Sequence, residues 1–104
     1  MKLTPEELAA QLPSLTGWTH AEARGGLITK EFQFADFVQA FGFMAQVALH
    51  SERMNHHPEW SNVYHRVSVT LTTHDVDGIS GKDIEMALLM NRIAAALPAA
   101  APAQ

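Results

Sequence analysis

The sequence predicts an α+β two-layer sandwich: a four-stranded antiparallel sheet with helices packed on one face. Three observations carry this. "LITKEFQF" and "RVSVTLTT" alternate apolar and polar residues, the period of half-buried strands. Three other stretches carry apolar residues at helical spacing, each with a capping residue ahead of it. The resulting order is helix, two strands, helix, two strands, helix, which makes hairpins and segregates the helices to one side. The 104 residues, 47% hydrophobic and 17% charged, suit one folded domain with a single core. That domain is expected over residues 1–97, with 98–104 as a mobile Ala/Pro tail.

"LTPEELAAQL" opens the first helix. Thr4 is its cap, Pro5 suits the first helical position, and Glu7 stands where a capping-box acid belongs. Pro13 ends it. "GWTHAEA", "RGG" and "LITKEFQF" then read as strand, turn, strand. Ile28, Phe32 and Phe34 share one side of the second strand, with Lys30 as the polar exception among them.

Asp36 caps a long helix that must finish before Pro58, because the residue preceding a proline disfavours helical geometry. One stripe holds Phe37, Phe41, Met44 and Ala48, and a second holds Phe43 and Val47. A helix apolar on two faces packs against the sheet and against something else.

Val67, Val69 and Leu71 face one way along the next strand, and Ser68, Thr70 and Thr72 the other. Trp60 to Val63 is its expected short partner, with "YHR" at the bend. "DVDGIS" is a turn. Ser80 caps the last helix, with Asp83 as its third-position acid. Its stripes are Ile84, Ala87, Leu88, Ala95 and Met86, Met90, Ile93, Leu97. Surplus apolar stripes on the two long helices suit a subunit interface.

Composition narrows the function. A net charge of −4 without a basic cluster argues against nucleic-acid binding, which needs cations along a phosphate backbone. The N-terminus has no apolar run of signal-peptide length, and nothing approaches a membrane span. With no cysteine, disulfides and thiolate catalysis are unavailable. A cytoplasmic protein is expected.

The chemistry concentrates in "ERMNHHPEWSNVYHRVSVTLTTHD". His56 and His57 stand where a helix yields to an extended segment, and His74 stands just past a strand end. Loop ends on a rigid scaffold gather functional groups, and imidazole exchanges protons near neutrality. Glu52, one turn before His56, could orient an imidazole; Asp83 could do the same or accept a substrate N–H. His20, His50 and His65 read as ordinary surface or structural residues. Three histidines and a carboxylate can also bind zinc or iron. Adjacent histidines diverge on an extended chain, however, and neither HExxH nor a two-His-one-carboxylate pattern is present. No metal site is expected.

The same segment resembles the pterin-4a-carbinolamine dehydratases, also called 4a-hydroxytetrahydrobiopterin dehydratases. Glu52, His56-His57-Pro58, Tyr64, His74 and Asp83 match the family's motif in type and spacing, and "HHPEWSNVY" and "LTTHDVDGIS" resemble its usual wording. The likeness extends more weakly from Trp18 to the final helix. Asn55 departs from it, standing where many members carry an acid.

The resemblance implies that the substrate is a 4a-hydroxytetrahydropterin, dehydrated to the quinonoid dihydropterin in tetrahydrobiopterin recycling, with no cofactor. It implies His56 and His74 as the proton-transfer groups and His57 as the residue that orients the pterin, although His56 and His57 could exchange roles. Glu52, Pro58, Trp60, Thr73 and Asp83 are the implied substrate-binding residues, Asp83 reaching the amino-pyrimidinone edge. A homodimer or homotetramer through the helix faces is the implied assembly. The alternative is a non-catalytic member that binds a protein partner through its helical face; such a member could lose His56 or His74, and this chain keeps both.

Overall fold

A computed structural model describes residues 1–97, so the 98–104 tail lies outside the described residues. Helix α1 (Pro5–Gln11) is closed at its start by the expected box. The Thr4 hydroxyl accepts from the Glu7 amide, and the Glu7 carboxylate accepts from the Thr4 amide. The chain continues through a short 3-10 turn (Leu12–Ser14) to β1 (Thr19–Ala21). A tight turn at Ala23–Gly25 leads into β2 (Leu27–Gln33), followed by α2 (Phe37–Met54). Strands β3 (Glu59–Val63) and β4 (Arg66–Leu71) form a hairpin through Tyr64 and His65. Helix α3 (Gly81–Ala96) closes the fold.

The sheet order is β1-β2-β4-β3, and every pairing is antiparallel. Ile28 lies opposite Leu71 and Phe32 opposite Val67, which fixes the register of the central pair. Their side chains share one face and are buried beneath the helices. The opposite face carries Thr29, Glu31, Ser68, Thr70 and Ser61. A one-residue slip would exchange the two sets, so burial specifies this register.

Helix α2 buries Ala40, Phe43, Val47 and Ser51. Phe43 packs its ring 4.8 Å from that of Phe32 and 4.9 Å from that of Phe34. The other predicted stripe is divided: Met44 is partly buried against the core, while Phe37 and Phe41 remain 47% and 60% exposed. Both predicted stripes of α3 contribute to the core, through Ile84 and Ala87 and through Met86 and Met90.

Lys30, the polar residue on the apolar side of β2, has a local explanation. Its ammonium donates to the Thr16 carbonyl and to Asn91 Oδ1, and sits 4.6 Å from the centre of the Phe32 ring. The Trp18 indole N–H donates to the same Asn91 oxygen. Desolvation lowers the Lys30 pKa from its usual value. Among the described residues, no helix is long and apolar enough to cross a membrane.

Candidate active site

The end of α2 explains how two adjacent histidines take up different environments. Asn55 closes the helix in left-handed geometry, at φ 52° and ψ 45°, a conformation asparagine tolerates better than most residues. The His56 amide donates back to the Ser51 carbonyl, so the chain reverses tightly before extending into Pro58. His56 turns inward and is buried; His57 turns outward, its side chain 56% exposed.

His56 Nε2 lies 2.6 Å from Asp83 Oδ1. A carboxylate only accepts, so Nε2 carries the hydrogen, leaving Nδ1 as the second nitrogen of the ring. Asp83 is fully buried at the start of α3. Its second oxygen accepts from the Thr73 hydroxyl at 2.7 Å and from the Ser80 amide at 2.9 Å. The Thr73 and Ser80 hydroxyls lie 2.7 Å apart. The same carboxylate thus caps α3, anchors the loop after β4 and holds the His56 ring. Asp83, expected at a pterin edge, accepts from His56 within the core, and the Thr73 hydroxyl belongs to the same internal network.

His57 Nε2 lies 2.5 Å from Glu52 Oε2 on the exposed side of the turn. These two residues line a cleft of about 300 Å³ with Ala48, Ser51, Pro58 and Trp60. Trp60 is half-buried, one side on the core and the other on this cleft. Tyr64 is placed elsewhere, exposed at the tip of the β3–β4 hairpin.

His74 opens a 3-10 turn (His74–Val76) just beyond β4. The loop is closed on itself, the Thr73 amide donating to the Gly78 carbonyl and the Gly78 amide donating back. The His74 side chain is 76% exposed and lines a second cleft, of about 410 Å³, with Arg24, Gly25, Thr72, Thr73, Asp77 and Gly78. Both clefts fall near the lower end of the roughly 300–1,000 Å³ typical of small-molecule sites.

Two charged residues beside His74 escaped the sequence reading. Arg24 and Glu59 form a two-pronged ion pair at 2.8 and 2.7 Å. Glu59 Oε2 and Arg24 Nη2 each lie 3.4 Å from His74 Nε2. The hydrogen bonds from Arg24 hold the Glu59 carboxyl down to about 2, and Glu59 in turn raises the guanidinium. Among the described residues, no group of three His, Cys, Asp or Glu side chains converges to hold a metal ion.

A family model described as pterin 4 alpha carbinolamine dehydratase matches residues 1–93, which take in every residue of both clefts. The chain belongs to that family. A curated relative from Burkholderia vietnamiensis, named "Putative pterin-4-alpha-carbinolamine dehydratase", is 52% identical over 100 residues, covering 95% of this chain and 97% of its own. One of the same name from Rhodopseudomonas palustris is 53% identical over 96 residues, covering 92% and 94%. The crystal structure of a transcriptional coactivator/pterin dehydratase from Brucella melitensis superposes with a TM-score of 0.85. It is 50% identical and covers 90% of this chain and 99% of that one. A pterin dehydratase-like protein identified as a RuBisCO assembly factor in the alpha-carboxysome is 20% identical. It shares the fold, with a TM-score of 0.65 over 75% of this chain and 89% of its own.

For a member of the pterin-4a-carbinolamine dehydratase family, the carboxylate–imidazole pairs are the salient feature of the site. Each of the adjacent histidines has an acid on its Nε2: the His56–Asp83 pair is buried and the His57–Glu52 pair is exposed.

Proposed function

We propose that the chain is a hydro-lyase that eliminates water from a 4a-hydroxytetrahydropterin to give the quinonoid dihydropterin, in tetrahydrobiopterin recycling. The single observation that carries this reading is the buried His56–Asp83 pair. A carboxylate saturated by Thr73 and Ser80 fixes one tautomer of an imidazole whose side chain keeps 8% exposure. That is how a proton-transfer group is oriented in a packed site.

The elimination breaks the C4a–O bond, delivers a proton to the departing hydroxyl, removes the proton of N5 and forms the C4a–N5 double bond. It balances with protons alone and requires neither a metal nor an organic cofactor. In our reading His56 and His74 are the two proton-transfer groups, on either side of the pterin. Glu52 fixes His57, which binds and orients the ring, with Pro58 and Trp60 as the wall of its cleft. Asp83 and Thr73 act through His56. We take the cytoplasm as its location and a homodimer or homotetramer, joined through the helix faces, as its assembly.

The test is the dehydration rate of freshly generated 4a-hydroxytetrahydropterin over its spontaneous background, after treatment with a chelator. Acceleration that survives chelation and falls in His56→Ala and His74→Ala supports the reading. No acceleration by the folded protein overturns it, and loss on chelation alone assigns the chemistry to a metal.

A second reading draws on α2. Phe37, Val38, Phe41 and Leu49 are exposed along that helix. Such a surface suits a protein partner, and the Brucella melitensis neighbour carries the words transcriptional coactivator. A folded protein inactive as a dehydratase, and a single chain in sedimentation, would favour it.

A further inference from the structure

Arg24, Glu59 and His74 belong to three distant segments: the turn before β2, the start of β3 and the loop after β4. Their meeting is built into the backbone. Arg24 takes left-handed geometry, at φ 57° and ψ 29°, which is uncommon for a residue with a long side chain. Gly25 follows at φ 82°, and a Cβ there would lie 2.0 Å from the Asp77 carbonyl oxygen. The Thr72 hydroxyl donates to the Gly26 carbonyl at 2.8 Å, binding the same two segments together. The turn that presents Arg24 is therefore pressed directly onto the loop that presents His74.

We propose that Arg24 and Glu59 are positioning residues for His74, offering its Nε2 a donor and an acceptor at equal distance so that the ring keeps its place with or without its proton. The proposal rests on the reading of His74 as a proton-transfer group. A neutral ring accepts from the Arg24 guanidinium through Nε2; a protonated ring donates from Nε2 to the Glu59 carboxylate. Each contact is 3.4 Å, while the ion pair itself is shorter and two-pronged. The pair is thus the fixed frame, and the imidazole is the member free to change state. Because Arg24 holds Glu59 ionised down to about 2, the acceptor is present throughout the range in which imidazoles titrate. The other charged groups nearby are Asp75 and Asp77 on the loop itself, and Lys2, packed against Gly78. Among the described residues, Glu59 is the acid within 4.0 Å of a ring nitrogen of His74.

The test follows the His74 ring resonances against pH in the full chain and in Arg24→Gln, Glu59→Gln and Arg24→Lys. Arg24→Gln leaves an unpaired carboxylate beside the ring, so the titration curve moves to higher pH. Glu59→Gln leaves an unpaired guanidinium, so it moves to lower pH. Arg24→Lys restores the charge and returns the curve toward the parent's. The dehydration rate is expected to fall on the order of tenfold in the two Gln variants, less than the roughly 10²–10⁴-fold a proton-transfer group itself supplies, because both residues act through His74. Curves that stay in place, or move the same way in both Gln variants, overturn the proposal. The His56 resonances report whether each variant is folded. If the parent shows no dehydratase activity, the functional reading fails, while the opposed titration shifts still judge the pair.

Discussion

Asp83 holds His56 from within the core: the carboxylate is fully buried, and its oxygen sits 2.6 Å from the imidazole nitrogen. Three donors converge on that carboxylate, from His56, Thr73 and Ser80. Asp83→Asn keeps the shape but exchanges one accepting oxygen for a donor. One of the three donors must then face an amide N–H. We expect a dehydration rate lower by on the order of 100-fold and a stability lower by about 1–3 kcal/mol. Asp83→Ala also removes the side-chain partner of the Ser80 amide, so it should destabilise further. Rates and urea midpoints measured on the same preparations check both expectations. An unchanged rate in a folded Asp83→Asn protein would remove Asp83 from any role in orienting His56.

The pair on the other side of the turn differs in burial, and burial decides its weight. Glu52 and His57 have side-chain exposures of 78% and 56%. Water screens such a pair, so Glu52→Gln should change stability by less than about 1 kcal/mol. Its effect should appear as weaker pterin binding, a raised KM with kcat nearly kept, because His57 is read as an orienting group. Steady-state kinetics on Glu52→Gln beside Asp83→Asn would separate the roles. Equal losses of kcat in both would mean that His57 shares the proton transfer.

Much of this arrangement was legible in the sequence, and the parts that were not share a cause. Caps, periods and breakers act locally, so Thr4, Asp36 and Ser80 mark their helices and the alternation of β2 and β4 marks the sheet. The double histidine before Pro58 marks a helix end for the same reason. Asp83 could be named as a partner for an imidazole, but its depth depends on α3 packing against α2 and the sheet, which no local pattern encodes. Arg24 and Glu59 were missed because their contact spans 35 residues and depends on the left-handed turn at Arg24. The nearest signal was "RGG", where two glycines after an arginine announce a strained turn but not its neighbour.

Asn91 joins three segments through one side chain. Its oxygen accepts from the Trp18 indole and the Lys30 ammonium, and its amide nitrogen donates to the Thr16 carbonyl. Asn91→Ala should cost about 1–3 kcal/mol, because partly buried donors lose their acceptor together. Chemical denaturation followed by tryptophan fluorescence reads both the stability and the Trp18 environment. A variant as stable as the parent would show that water replaces Asn91 without loss.

Glu59 gives the acid dependence a sign. Its folded-state value, about 2, lies below the usual 4.5, so its ion pair stabilises the fold above about pH 4.5. That contribution is lost as the pH falls through 4.5 toward 2. The two side chains are nearly half exposed, so the effect is small. Parent and Glu59→Gln should differ in urea midpoint near neutral pH and converge in acid. A gap that persists unchanged at pH 3 would mean that the Glu59 carboxylate contributes through packing rather than charge.

The outward stripe of α2 bears on assembly. Phe37 and Phe41 lie against each other with ring centres 6.0 Å apart, and Val38 and Leu49 are exposed along the same helix. Such a surface gains by being covered, and the same patch meeting itself is the commonest arrangement. Phe41→Glu places a charge in that patch without touching the buried face of Ala40, Phe43 and Val47. If α2 joins the subunits, sedimentation should show the variant as a smaller species than the parent at the same concentration, with its helical content kept. Phe41 lines neither of the two clefts, although Ala48 on the same stripe lines that of His57, so a released subunit that retains its dehydration rate would assign Phe41 to assembly alone. A parent that sediments as a single chain would remove the homo-oligomer and leave the stripe to a different protein.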